Sequence, residues 1–277
     1  QKQEKFLKVS IENTYTLYLL WLSLFVEIQK RAADQISLSA NKYISDKKQE
    51  FPNPNKFIQN KLLLQIVDNT MLAEEINHRK LDNWYLNEEY VKLIYKEIIE
   101  SEAYQEYMSK SESDYASDKE LVLTLFKTIF APNEKIYDYF EDDKLTWVDD
   151  IPIVNTFVLK HLKKAKQVHP ESYFLPSLMK DDDDMQYALQ LLSRTLLKNE
   201  ALEKEIEGKT PNWDKDRIAE IDSILLKMAI CELLHFPSIP ERVTINEYLE
   251  IAKEYSTPKS SIFINGILDK LTKEYKA

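Results

Sequence analysis

Glycine is nearly absent from this chain. Only Gly208 and Gly266 occur among its 277 residues, whereas strands joined by tight hairpin turns need glycine for the backbone angles of those turns. Cysteine is limited to Cys231, so no internal disulfide can form and a reducing cytoplasm fits. Its place in an apolar helical pattern reads as a small core residue rather than a nucleophile. Positive charge is in deficit as well. The formal net charge is -10 and the pI about 5.1, which opposes a freestanding nucleic-acid binder, because such proteins carry a basic face. Any RNA contact must therefore be local or shared with a basic partner. Finally, no apolar run is long enough for a membrane. The longest, Tyr15 to Ile28, is interrupted by Glu27 and cannot span a bilayer, and no signal peptide is visible.

What the chain does contain is apolar residues at helical spacing nearly throughout, which predicts an all-α protein. Its length permits one or two domains. The first pattern runs from Lys2 to Tyr43, and its middle, Leu17 to Val26, is apolar almost all round, so it needs partners on more than one side. A turn at Phe51 to Asn55 precedes helical patterns over Lys56 to Asn77 and Asn87 to Lys110. A polar connection, Ser111 to Ser117, leads to an amphipathic stretch ending before Pro132, and Asn133 caps a helix through Tyr139. The aromatics Trp84, Tyr85, Tyr90, Tyr95, Tyr104 and Tyr107 read as core, since basic residues do not interleave with them as on a base-stacking platform.

Trp147 to Lys166 predicts a helix with Leu159, Leu162 and Ala165 inward and Lys160, His161, Lys163, Lys164 and Lys166 largely outward. A solvated lysine face and an RNA or protein contact both fit this most basic segment. His161 and His169 have no acidic or cysteine partner at ligand spacing, so no metal site is expected. The four aspartates Asp181 to Asp184 precede a helix over Met185 to Ile206, where carboxylates cap free N–H groups and suit the helix dipole. Gly208 follows as a C-terminal cap.

The last third is the most specific. A helix from about Asp214 must stop near His235, because Pro237 and Pro240 break it. Thr244-Ile245-Asn246-Glu247 has the form of a capping box, with Val243 and Tyr248 as its hydrophobic staple. Thr257 and Pro258 suit the cap and first position of a third helix running to about Tyr275. Ile218, Ile221, Leu225, Met228 and Glu232 fall on one seam, which buries a carboxylate that must be paired; backbone donors in the joint Ser238 to Asn246, or the Asn246 side chain, are the expected partners. In the third helix Ile264, Ile267, Leu268 and Leu271 form the core side. Lys259, Ile262, Gly266, Asp269 and Lys273 lie roughly opposite. A mid-helix glycine costs about 1 kcal/mol relative to alanine. Either an outside molecule approaches Gly266 closely, or Gly266 admits an earlier helix of the same chain. Lys259 and Ser260 offer charge and free N–H donors for phosphate, and Phe263 could stack a base.

The order Ile239-Pro240, Ile245-Asn246-Glu247, Ala252-Lys253, Lys259-Ser260, Phe263-Ile264-Asn265-Gly266-Ile267-Leu268-Asp269, following Trp213 to Leu234, resembles the C-terminal part of the NusB family of transcription antitermination factors, in its long form. The resemblance extends more weakly back to about Trp147. It implies an all-α bundle of two packed subdomains, with an N-terminal helical region at 1–146 and a NusB-like module at 147–277. The residues themselves offer no Gly-rich phosphate loop, Ser/His/Asp set or metal cluster, so a non-enzyme without cofactor or metal is expected. The resemblance implies a factor that binds boxA RNA of ribosomal RNA transcripts, pairs with ribosomal protein NusE and joins the RNA polymerase antitermination complex. Carried over, the RNA-side candidates are Lys259, Ser260, Ser261, Phe263 and Gly266. The NusE-side candidates are the acidic Asp216, Glu220 and Asp222, whose charge complements a basic protein.

One departure stands out. Members of the family open with an arginine-rich helix that contacts RNA, and here no arginine precedes Arg31. The expectation is that this helix is missing from residues 1–277, as the initial Gln1 and the over-apolar Leu17 to Val26 suggest, or that RNA binding is weak. A different class also fits: an RNA-independent helical adaptor that keeps the fold while the additional segment Gln1 to Tyr139 takes over the partner contacts. The NusB-like domain attached to ribosomal RNA methyltransferases does not fit, for want of a Gly-rich cofactor-binding α/β domain.

Overall fold

A computed structural model of the chain describes residues 2–42, 53–207, 209 and 218–275. Among the described residues there is no strand, and the all-α expectation holds. The helices are α1 (Lys2–Lys42), α2 (Lys61–Val67), α3 (Thr70–His78), α4 (Asn83–Leu86), α5 (Glu88–Glu100), α6 (Glu102–Ser109), α7 (Tyr115–Leu125), α8 (Glu134–Asp143), α9 (Trp147–Lys164), α10 (Asp182–Leu197), α11 (Asn199–Glu207), α12 (Glu220–His235), α13 (Glu241–Tyr255) and α14 (Ser260–Glu274). None of them is long and apolar enough to cross a membrane.

Two compact units are present, one of residues Ile11–Ser177 and one of Leu178–Ala277 with Gln1–Ser10. In the first unit the apolar middle of α1 is buried on every side, from Leu17 to Phe25, as a segment without a polar face requires. Trp21 meets Phe126 and Phe140 edge-on, and Phe25 stacks on Phe130. Phe126–Phe130 is a π-helical turn continuing α7. Trp147, Ile151, Val154, Val158 and Leu162 of α9 belong to this same core. The two compact units divide after Ser177, and the apolar stripe of α9 is buried together with that of α1.

The second unit packs α10 to α14 around Leu226, Ile230, Ile264, Leu268 and Leu271. Cys231 is a free thiol in that core. The aspartate run caps as expected: the Asp181 side chain accepts from the Asp183 N–H, and Asp184 reaches back to the Lys180 N–H at 2.6 Å. The helix expected over Met185 to Ile206 is instead two, broken at Lys198. Gly208 lies outside the described residues. Asn133 caps α8 by accepting the Ile136 N–H at 3.1 Å. Of the first-half aromatics, Trp84, Tyr95 and Tyr107 are buried, but Tyr85 is exposed.

Candidate functional site

The three helices α12, α13 and α14 carry the residues that the sequence singles out, and two buried carboxylates fix how they meet. Glu232 of α12 is 4% exposed. Its Oε1 accepts the Thr244 hydroxyl at 2.6 Å, and its Oε2 accepts the hydroxyls of Tyr248 at 3.2 Å and of Tyr187. One carboxylate thus ties α10, α12 and α13 through three O–H donors. A buried carboxyl group needs such donors to satisfy its oxygens. Burial, followed by the neighbouring carboxylate, raises the pKa of both tyrosines, which therefore stay protonated as donors.

This arrangement corrects the sequence reading in two places. The partners of Glu232 are the side-chain hydroxyls of Thr244, Tyr187 and Tyr248, not the backbone donors of the joint or the Asn246 side chain. Thr244 is not an N-cap either: α13 begins at Glu241 after Pro240, and Thr244 lies one turn inside it. Pro240 suits the entry to a helix because its missing N–H needs no partner there. Val243, the expected staple residue, is exposed.

Asp222 forms the second tie. It is 6% exposed, and its carboxylate accepts Ser256 Oγ at 2.6 Å and Ser260 Oγ at 2.7 Å. Ser260 Oγ also lies 2.8 Å from Ser256 Oγ and 2.9 Å from Thr257 Oγ1. The first turn of α12 is thereby bonded to the joint between α13 and α14. Thr257 caps no backbone N–H; its hydroxyl meets Ser260, and α14 starts at Ser260 with Lys259 in the cap position. A third link joins α10 to the other end of α12, where Arg194 donates to the His235 carbonyl at 2.7 Å and lies over the Phe236 ring.

The proposed contact residues separate accordingly. On α14, Lys259 and Gly266 are exposed, Ser261 is half-buried, and Phe263 is partly buried against the unit's core. Ser260 is buried in the Asp222 cluster, which takes its hydroxyl out of reach of a phosphate. A Cβ built on Gly266 would meet nothing within 4 Å. Of the two explanations for this glycine, close packing of an earlier helix of the chain is therefore excluded among the described residues. Ile262, 75% exposed, adds an apolar side chain to the same edge.

On α12, Glu220 is exposed whereas Asp222 points inward. Residues two apart do not share a helix face, so these two cannot form one acidic surface. Asp216 lies outside the described residues, as do Trp213 and the expected helix start at Asp214; α12 begins at Glu220. A sequence signal for the inward Asp222 did exist: it lies three and four residues before the buried Leu225 and Leu226. Nothing local announced Tyr187 or Ser256, which reach their carboxylates across long stretches of chain.

Lys160, Lys163 and Lys164 of α9 and Lys166 just past its end are outward as expected, but His161 is not. Its ring stacks on Tyr173 at 4.3 Å, its Nε2 lies 2.9 Å from the Tyr173 carbonyl, and Tyr173 donates its hydroxyl to the His161 carbonyl at 2.7 Å. Burial lowers the His161 pKa, helped by His169 and Lys164. No group of three potential metal ligands occurs among the described residues.

Comparison with known proteins places this module. The profile of the NusB family matches residues 158–273. The chain is 41% identical over 96 residues to transcription antitermination protein NusB of Geotalea daltonii, covering 35% of this chain and 66% of that protein. Against the protein of the same name from Salinibacter ruber it is 44% identical over 92 residues, covering 33% and 58%. For Clostridium kluyveri the figures are 45% over 94 residues, 34% and 60%. The chain thus spans 58% to 66% of the length of these relatives. No solved structure matches it.

Proposed function

Residues 158–273 are a NusB-family domain, and from that premise we propose that the chain is a transcription antitermination factor that takes boxA RNA of ribosomal RNA transcripts on the open edge of α14, together with ribosomal protein NusE. The observation that carries this reading is Gly266. It stands mid-helix, exposed, with empty space where a side chain would be, at a cost of about 1 kcal/mol that no contact within the described chain repays. Lys259 one end of the helix away offers a charge for phosphate, and Phe263 and Ile262 offer surface for a base. Ser261 belongs to the same edge. Ser260 acts indirectly, by holding the helix start through Asp222.

NusE docks on acidic groups of α12 and the segment before it, with Glu220 and Asp216 as the direct candidates and Asp222 as their support. A basic partner resolves the charge problem, since phosphates that a chain of net charge -10 would repel are neutralised by the partner. The protein acts by binding in the RNA polymerase antitermination complex, not by catalysis: Asp222 and Glu232 are closed off by their own hydroxyl partners.

Binding of boxA RNA with and without NusE, at two salt concentrations and against a scrambled RNA, tests the proposal. Gly266→Ala is the decisive variant. It is expected to raise stability by about 1 kcal/mol and to lower boxA affinity at least fivefold, as about 1 kcal/mol of lost contact implies. A stabilised variant with unchanged boxA affinity would overturn the RNA edge and favour the RNA-independent adaptor, whose partner contacts fall to the segment Gln1 to Tyr139.

A further inference from the structure

From Ile151 to Pro170 the chain has no aspartate or glutamate, although it holds 47 of them in 277 residues. Lys160, Lys163, Lys164 and Lys166 fall in this stretch and are all exposed. On other helices surface lysines meet a glutamate one turn away, as in Lys30–Glu27, Lys92–Glu88, Lys110–Glu106 and Lys253–Glu250. Among the described residues the four lysines at the end of α9 make no ion pair. Lys119 brings a fifth amine to the same place, donating to the carbonyls of Lys163 at 3.2 Å and Ala165 at 3.1 Å.

The helix dipole favours cations near a last turn, but it does not account for the rings beside them. Phe157, His161, Tyr173 and His169 form a continuous stack. Successive centroids are 5.5, 4.3 and 4.5 Å apart, with planes inclined by 16°, 19° and 29°. The half-buried His161–Tyr173 pair ties the stack together through two side-chain-to-backbone hydrogen bonds. Phe157, at one end, is 42% exposed. Phe157, Lys160, His161 and Lys164 recur at helical spacing and share one face of α9, so the open ring is flanked by two amines.

We propose that this end of α9 is a second RNA-contacting surface, on which a single-stranded part of the transcript stacks a base on Phe157 while Lys160 and Lys164 neutralise the adjoining phosphates. Charge complementarity selects a polyanion, and the rigid open ring selects one that has π-faces to stack, which RNA provides at every nucleotide and an acidic peptide does not. Its place in the chain, within residues 11–177, makes it distinct from the edge of α14. The inference rests on the RNA reading given above and extends it to nucleotides outside boxA.

The test uses the full chain with NusE and two RNAs, boxA alone and boxA with single-stranded flanks on both sides. K160Q/K164Q is expected to bind boxA alone as the unaltered chain does. On the flanked RNA it should flatten the dependence of log K on log salt by about 1.4, at about 0.7 per phosphate contact on a single strand. F157L, which keeps an apolar side chain but no ring, should weaken binding of the flanked RNA at least about fivefold. Should F157L lower the melting temperature, the exposed lysine pair carries the test. Unaltered binding of the flanked RNA by K160Q/K164Q overturns this surface while leaving the α14 site intact. Loss of binding to a polyglutamate probe instead of RNA also overturns it, in favour of an acidic protein. If the unaltered chain binds neither RNA, both this surface and the proposed function fall.

Discussion

At the scale of single residues, the module is held by carboxylates that the surrounding hydroxyls make tolerable. Glu232 accepts from Thr244, Tyr187 and Tyr248, and a glutamine in its place keeps one acceptor oxygen but sets an NH2 donor against hydroxyls that were donating. Glu232→Gln is expected to cost about 1–3 kcal/mol, and Tyr187→Phe about 1 kcal/mol, since the latter removes one donor of three. Denaturant unfolding of both variants and the double variant checks this; strict additivity would mean that the pair does not act through one network. That Glu232 would be buried and paired was legible from its place on an apolar seam. Which donors pair it was not, because Tyr187 lies 45 residues away on another helix.

At the scale of elements, helix ends are where local rules and tertiary contacts compete. The Thr244 to Glu247 pattern satisfies the capping box in sequence, but Pro240 starts α13 one turn earlier and frees Thr244 to serve Glu232. The last turn of α9 shows a similar conflict. The dipole there favours a cationic histidine, yet burial against Tyr173, Phe174 and Tyr18, with His169 and Lys164 nearby, lowers the His161 pKa below its usual 6.5. The sign follows directly: the unfolded chain takes up the proton first as pH falls. The contribution of His161 is therefore full above pH 6.5 and is lost as pH drops below that value toward the folded pKa. Melting temperatures measured across this range should fall on acidification, and His161→Phe should flatten the fall. An identical slope in the variant would remove His161 as its source.

At the scale of the whole molecule, the boundary between units is set by where α9 buries its stripe. Residues 11–177 expressed alone are expected to be helical and to melt cooperatively, because their core is self-contained. Ending the same piece at residue 146 removes Trp147, Ile151, Val154, Val158 and Leu162 from that core. The shorter piece should lose cooperative melting, as followed by circular dichroism. Equal cooperativity in the two pieces would place α9 with the second unit instead.

The sequence by itself determined the helical class, because scarce glycine and near-continuous helical spacing leave no other economical way to bury so many apolar residues. It also determined the buried middle of α1, the core face of α14 and the caps formed by Asn133 and Asp181, all of which depend on neighbours a few residues away. The inward turn of Asp222 and Ser260, the three hydroxyls around Glu232, the burial of His161 and the empty space over Gly266 were decided only by the tertiary structure. Each of these depends on which distant side chain, or none, arrives within hydrogen-bond or van der Waals distance, and residue spacing carries no record of that.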